Sequence, residues 1–339
     1  MHKSNYLSLA DQGINLNDYC LSSNYDECLR NIFPKINPNE LLKLVSLYNI
    51  NLLKDLIKKI ALFTKTNRIV LGAGSEELVV RTNNLIKSNL VGMVNPGFYR
   101  TKESYESNNN KKIKLISRKD LLKPFGYNYV WIFNPSLIDG EVLTREELLK
   151  IIKSHPKTIF LVDEAGVFLL PEWQKYSLMP VIKDTSNFVV YSSFSKLFGL
   201  SGQRVGFASG NKKILNLLEE SGPTFPITNL SAVLAKTSVG KARYFDNMVQ
   251  KIQAHKQEIE NLIEGNSRLQ IKQTKLNFVF VKDTDIHKFS ALLLKNKILA
   301  LDTSSQEGVK EGWIRITIHS SEDKHAFLKK KLSKVLEQL

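Results

Sequence analysis

Cysteine is almost missing from this sequence: Cys20 and Cys28 are the only two. Two thiols eight positions apart (28 − 20) build no disulfide framework, and their spacing matches no zinc-ligand pattern. Histidine is sparse as well, at positions 2, 155, 255, 287, 319 and 325, with no close pair at metal-ligand spacing, so no metal is expected. No apolar run is long enough to span a bilayer. The first 24 residues, interrupted by Asp11 and Asp18, lack the continuous apolar stretch of a secretory signal. The chain therefore reads as cytoplasmic, with no membrane partner. Only 17 Gly and 10 Pro in 339 residues speak against a fibrous or disordered protein, and 42% hydrophobic residues allow a large core. Internal repeats and low-complexity linkers are missing too.

What is abundant is positive charge: 48 Lys and Arg against 33 Asp and Glu give a formal net charge of +15. These cations are spread along the chain. The densest groups, Lys111-Lys112 with Lys114 and Lys329-Lys330-Lys331, read as solvated strand or helix faces. Anionic small molecules are the expected partners, and nucleic acid is not.

From about Asn67, short apolar runs alternate with helical patterns, as in a largely parallel sheet covered by helices. Strands are expected near Arg68–Leu71, Leu90–Val94, Lys112–Ile116, Tyr129–Phe133, Thr158–Val162, Phe188–Tyr191 and Gln203–Ala208. A helix starts at Ser75, with Glu76 and Glu77 in its first turn, and Thr144-Arg-Glu-Glu147 is a capping box. A long helical stretch over about 229–264 leads to a tail with strands near 269–271, 277–281 and 313–318 and helices near 285–296 and 322–339. The expected organisation is an N-terminal segment (1–39) packed on the small domain or a partner subunit, a large α/β domain (40–240) and a small α+β domain (241–339).

The densest chemistry lies in Tyr191-Ser-Ser-Phe-Ser-Lys-Leu-Phe-Gly-Leu-Ser-Gly-Gln-Arg-Val-Gly-Phe207. A loop of this kind brings Ser193, Ser195 and Arg204 onto one anion, with glycines letting the backbone close around it. This stretch resembles the fold-type I, class I/II aminotransferases, and among them the histidinol-phosphate aminotransferase branch. The likeness extends from about Asn24 to Ser320. It implies a pyridoxal 5′-phosphate-dependent transferase fold, with a mostly parallel seven-stranded sheet in the large domain. Lys196 would carry the cofactor as a Schiff base, with Ser193, Ser195 and Arg204 on its phosphate.

Other stretches match in order. Gly72-Ala-Gly-Ser-Glu-Glu77 lies between strand and helix, where backbone N–H groups and the helix N-terminus hold phosphate; the resemblance assigns Gly74, Ser75 and Glu76 to the cup. Pro96-Gly-Phe98 resembles the segment whose aromatic residue stacks on the pyridine ring. Asp163, 33 residues before Lys196 (196 − 163), matches the carboxylate that keeps the ring nitrogen protonated. Arg315 in Trp313-Ile-Arg-Ile-Thr-Ile-His319 matches the residue that grips a substrate carboxylate or phosphate. Tyr48 matches a tyrosine reaching the phosphate of the partner subunit, and Asn24 a substrate-side asparagine. The resemblance also implies a homodimer.

Two positions depart from the pattern. Relatives have Tyr where this chain has Gly166, and Asn where it has Leu137; both contact the cofactor's phenolic oxygen. Asn134 is the expected substitute. With those donors gone, the proton on the lysine–cofactor nitrogen should be held more tightly. The expected reaction is ping-pong transfer of an amino group from an amino acid or amino-alcohol phosphate to a 2-oxo acid. The alternatives are decarboxylation of the threonine-phosphate type and a non-catalytic binding module that keeps the fold.

Overall fold

The computed structural model describes residues 17–20, 36–109, 111–183, 186–309 and 311–339. They divide into two compact units. The larger holds the described residues of 36–137 and 141–245, and the smaller holds those of 17–20, 138–140 and 246–339.

The elements of the chain, in order, begin with β1 (Asn17–Asp18), α1 (Pro38–Ser46), α2 (Ile50–Thr64), β2 (Val70–Gly72), α3 (Ser75–Leu85), β3 (Val91–Val94), α4 (Tyr99–Asn109) and β4 (Lys114–Ile116). Next come β5 (Tyr129–Phe133), α5 (Arg145–Ser154), β6 (Ile159–Asp163), β7 (Phe188–Ser193), β8 (Gly206–Gly210), α6 (Lys212–Glu220), α7 (Asn229–Val239) and α8 (Ala242–Glu264). The remainder are β9 (Gln270–Lys272), β10 (Phe278–Lys282), α9 (Ile286–Lys295), β11 (Ile298–Leu299), β12 (Leu301–Asp302), β13 (Ile314–Thr317) and α10 (Glu322–Leu336).

The larger unit is built on a seven-stranded sheet of order β2-β8-β7-β6-β5-β3-β4. All its pairings are parallel except the two made by β8. The middles of its central strands are apolar, because both faces are covered: Val130, Trp131 and Ile132 of β5, Phe160, Leu161 and Val162 of β6, and Val189, Val190 and Tyr191 of β7 are all buried. On one face the sheet packs on α3 and α6 through Leu78, Val79, Ile214, Leu215 and Leu218. Polar groups of α3 that face the sheet are paired. Asn83 accepts from Trp131 Nε1 at 3.0 Å, and Thr82 and Tyr191 share a hydroxyl–hydroxyl bond of 2.9 Å. The Thr144–Glu147 capping box forms as expected, which fixes where α5 starts.

The smaller unit carries the four-stranded antiparallel sheet β12-β13-β10-β9, and a short parallel pair, β1 with β11. No described helix is long and apolar enough to cross a membrane.

Candidate active site

Six strands of the large sheet end on the same side. β3, β4, β5, β6 and β7 are parallel, and β2, joined to β7 through antiparallel β8, runs in their direction. Their carboxyl ends therefore share one edge, the edge at which open α/β sheets bind ligands. That edge receives Gly74 and Ser75 after β2, Phe98 after β3, Asn134 after β5, Asp163 as the last residue of β6, and Ser193, Ser195 and Lys196 at and after β7. Arg204 precedes β8 and so arrives at the same edge from the other direction.

The anion-binding corner is made by close backbone approach. Gly72 of β2 pairs with Gly206 of β8. A Cβ on Gly206 would stand 2.3 Å from the Gly74 carbonyl carbon and from Ser75 N, so no side chain fits there. Gly74 has φ +86°, and a Cβ on it would stand 2.4 Å from Arg204 Nη2. The guanidinium thus lies over the first turn of α3, whose N-cap, Gly74, supplies no side-chain cap bond. Helix N–H groups without a side-chain acceptor, beside a guanidinium, make a ready phosphate site. Arg204 itself is in the left-handed region (φ 52°) and donates to Ser201 O at 3.0 Å. Ser193 is buried and its Oγ accepts from Ser195 N at 3.0 Å. The Glu76 carboxylate is turned to Arg100 Nε at 3.2 Å, so its backbone N–H is the group it brings to this corner.

Asp163 lies at the buried end. It is 9% exposed, one carboxylate oxygen accepts from Ala165 N at 2.9 Å, and the Lys196 ammonium acts on it electrostatically. Loss of solvent pushes its carboxyl up to about 6, against the opposing pull of the Ala165 N–H and Lys196. A cation placed beside it would hold it ionised.

Asn134 does not serve as expected. Its Nδ2 donates to Leu143 O at 2.9 Å and to Tyr176 O at 3.1 Å, while its Oδ1 accepts from Leu143 N at 2.7 Å. Both amide hydrogens are spent on backbone carbonyls, leaving no donor for a phenolic oxygen. The two departures at 137 and 166 prove to be one change. A Cβ on Gly166 would stand 2.6 Å from Leu137 Cδ2 and 3.3 Å from Pro135 Cγ. The tip of Leu137 occupies the space a Cβ at 166 would take, so a side chain there needs that tip to move.

The remaining expected residues sit as follows. Phe98 is partly buried, packed on the sheet core, with its ring edge-on to Tyr99 at 5.3 Å. Tyr48 is 83% exposed and stacks on Phe225 at 4.4 Å. Arg315, in the smaller unit, is buried on β13, donates to Cys20 O and lies over the Phe278 ring at 4.3 Å. Asn24 lies outside the described residues.

A family model described as "Aminotransferase class I and II" matches residues 15–330. The chain belongs to that family. The cofactor of these enzymes is pyridoxal 5′-phosphate, and the glycine-lined corner with Arg204, the buried Asp163 and Lys196 suit its phosphate, ring nitrogen and aldehyde respectively. Histidinol-phosphate aminotransferase of Thermoanaerobacter pseudethanolicus is 31% identical over 279 residues, covering 75% of this chain and 74% of that one. The enzyme of the same name from Methanococcus maripaludis is 29% identical over 238 residues, 69% of this chain. That match spans 59% of the relative's own length. Among solved structures, histidinol-phosphate aminotransferase from Clostridium acetobutylicum superposes with a TM-score of 0.82, at 20% identity, over 96% of this chain and 100% of that one.

Two features of the chain are not legible in its sequence. Glu164, beside Asp163, is wholly buried, and its carboxyl is pushed up to about 8 by loss of solvent, with Asp163 adding to the rise. In the sequence it resembles an ordinary strand-end residue. In the smaller unit, His255 and His325, 70 residues apart (325 − 255), stack at 3.9 Å with Glu322 and Glu258 on their outer edges. Their separation along the chain hides the pairing that α8 and α10 create.

Proposed function

We propose that the protein is a pyridoxal-phosphate-dependent aminotransferase that takes the amino group of an amino acid or amino-alcohol phosphate and passes it to a 2-oxo acid. Histidinol phosphate is the first candidate donor, because both curated relatives described above bear that name. When bound, the cofactor supplies an aldehyde carbon that takes the amino group and a ring that withdraws electrons from the substrate.

The chain's own residues divide the remaining work. Arg204, the hydroxyls of Ser193 and Ser195, and the N–H groups of Gly74, Ser75 and Glu76 would hold the phosphate. Phe98 would flank the ring, and Asp163 would hold a proton on the ring nitrogen. Lys196 Nζ would attach the cofactor and, once free, would take the proton from the substrate α-carbon and keep it for return. Arg315 orients the anionic group of the substrate in a bidentate fork, with Asn24 on the substrate side. The observation that carries this reading is that buried Asp163, Lys196 and the glycine corner share one edge of the sheet.

We also propose that two copies associate and that the enzyme works in the cytoplasm. Exposed apolar residues on and just after α1 support the pairing: Leu42, Val45, Leu47 and Tyr48 are 66, 71, 61 and 83% exposed. Large apolar side chains exposed close together mark surfaces that associate. Tyr48 would then serve the phosphate of the other copy. Light scattering should give twice the chain mass.

The test of activity is an amino-donor screen with 2-oxoglutarate, containing histidinol phosphate, aromatic amino acids and threonine phosphate. Conversion of 2-oxoglutarate to glutamate supports the reading. Carbon dioxide release without need of the 2-oxo acid would replace it with decarboxylation.

A further inference from the structure

The cofactor's neighbours account for Asp163, but not for the carboxyl next to it. Glu164 has no exposed surface, and every polar part of it is engaged. Its N–H donates to Tyr191 O at 2.7 Å, and its carbonyl accepts from the Ser192 hydroxyl at 3.2 Å. Its Oε1 accepts from Leu178 N at 2.8 Å, and the Ser177 hydroxyl bonds to Oε2. Ser177 Oγ also accepts from Met179 N at 3.0 Å, which makes 177–179 a tight turn folded around this one carboxyl. The turn is held from a second side as well. Tyr176 O accepts from Asn134 Nδ2, and Asn134 N donates to Asp163 O at 2.9 Å. The ends of β5 and β6 and the 176–179 turn thus form a closed ring of hydrogen bonds with Asp163 in it.

The charge that acts on Glu164 is Asp163, on its own strand end; β7 presents the Tyr191 carbonyl and the Ser192 hydroxyl, and the turn presents Ser177. Two adjacent carboxyls removed from water do not both stay ionised. Asp163 has Lys196 beside it, so the proton belongs on Glu164. The Ser177 hydroxyl stands as donor to Oε2; with a proton on Oε2 that hydroxyl turns to accept it, while Oε1 goes on accepting from Leu178 N.

We propose that Glu164 is a positioning residue: held neutral, its carboxyl ties the Ser177–Leu178 turn to the end of β6 and so fixes Asp163, without adding a second negative charge beside it. The proposal rests on the functional reading above for what Asp163 does, but the protonation state of Glu164 does not depend on that reading.

Two readouts on the full chain test it. The first uses ligand-free protein. A carboxyl raised from its unfolded value to about 8 gives stability that is complete below about pH 4.5 and is lost as pH rises through 8. Gln keeps both hydrogen bonds without titrating. The melting temperature of E164Q should therefore gain on the parent as pH rises from 5 to 9, by about 5 °C. A difference that stays constant across that range overturns the neutral state.

The second uses cofactor-loaded protein and the pH midpoint of its visible absorbance. E164Q should follow the parent curve, and E164A should move from it by about half a pH unit or more. S177A, which removes one of the two bonds, should move it in the same direction by less and stands in if E164A does not fold. A displaced E164Q curve would mean that Glu164 acts by charge, and an unmoved E164A or S177A curve that it positions nothing; either overturns the proposal. Failure to bind pyridoxal phosphate would instead defeat the functional reading, with the first readout still deciding the state of Glu164.

Discussion

The two ends of the candidate site solve opposite problems. At the end proposed for the phosphate, Gly74, Gly206 and the first turn of α3 leave donors without side-chain acceptors, and Arg204 stands exposed above them. At the end proposed for the ring nitrogen, Asp163, Glu164, Asn134 and the 176–179 turn spend nearly every donor and acceptor on one another. An open corner can take up a solvated anion, because its donors give up only water. A closed one can hold a carboxyl at a fixed place in a poorly solvating site, where a misplaced charge is expensive. Binding strength should thus reside in the first end and chemical competence in the second.

Substitution at Lys196 gives the largest effect and belongs to neither end. Lys196→Ala should lower turnover by about 10⁴-fold or more, since both proton mover and attachment point go. A steady-state assay at saturating cofactor reads this.

The comparison is sharpest between Asp163→Asn and Arg204→Ala. Asp163→Asn should cut turnover by about 10²–10³-fold with cofactor still bound, because it removes a charge aimed at the reacting ring. Arg204→Ala should weaken cofactor affinity by about 10–100-fold, the worth of a hydrogen bond to a charged group, and spare turnover once cofactor is saturating. Equilibrium dialysis and saturating-cofactor kinetics separate the two. Equal effects on both quantities in both variants would erase the division.

A smaller effect is expected where the closed end meets Leu137. Gly166→Ala places a Cβ against Leu137 Cδ2 and should destabilise by about 1–3 kcal/mol. Leu137→Ala in the same chain should recover part of that loss, a non-additivity of about 0.5–3 kcal/mol by denaturant titration. Smallest, and remote from both ends, Thr144→Ala removes the α5 cap and should cost about 1 kcal/mol without altering cofactor affinity.

Much of this was legible in the sequence because it is local. Tyr129–Phe133 reads as a strand from its apolar run alone and forms β5 over the same residues. Thr144 and Glu147 announce their cap, and the order of Gly74, Asp163 and Lys196 along the chain follows from strands that end on one edge. What stayed hidden depends on residues distant in sequence. The amide of Asn134 is consumed by Tyr176, 42 positions on, so composition could not reveal that it has nothing left to donate. Leu137 explains Gly166 only when the β5 and β6 loops are side by side. Glu164 becomes a buried acid only because the 177–179 turn closes over it, and nothing in Asp163-Glu-Ala165 signals that closure.

Lys196 is the proposed attachment point at which the two ends meet. Sodium borohydride reduction of cofactor-loaded protein fixes the cofactor on whichever nitrogen carries it, and peptide mass mapping then names the residue. One modified peptide is expected, with the pyridoxyl phosphate mass on Lys196. A label on any other lysine, or none after loading with excess cofactor, would contradict it.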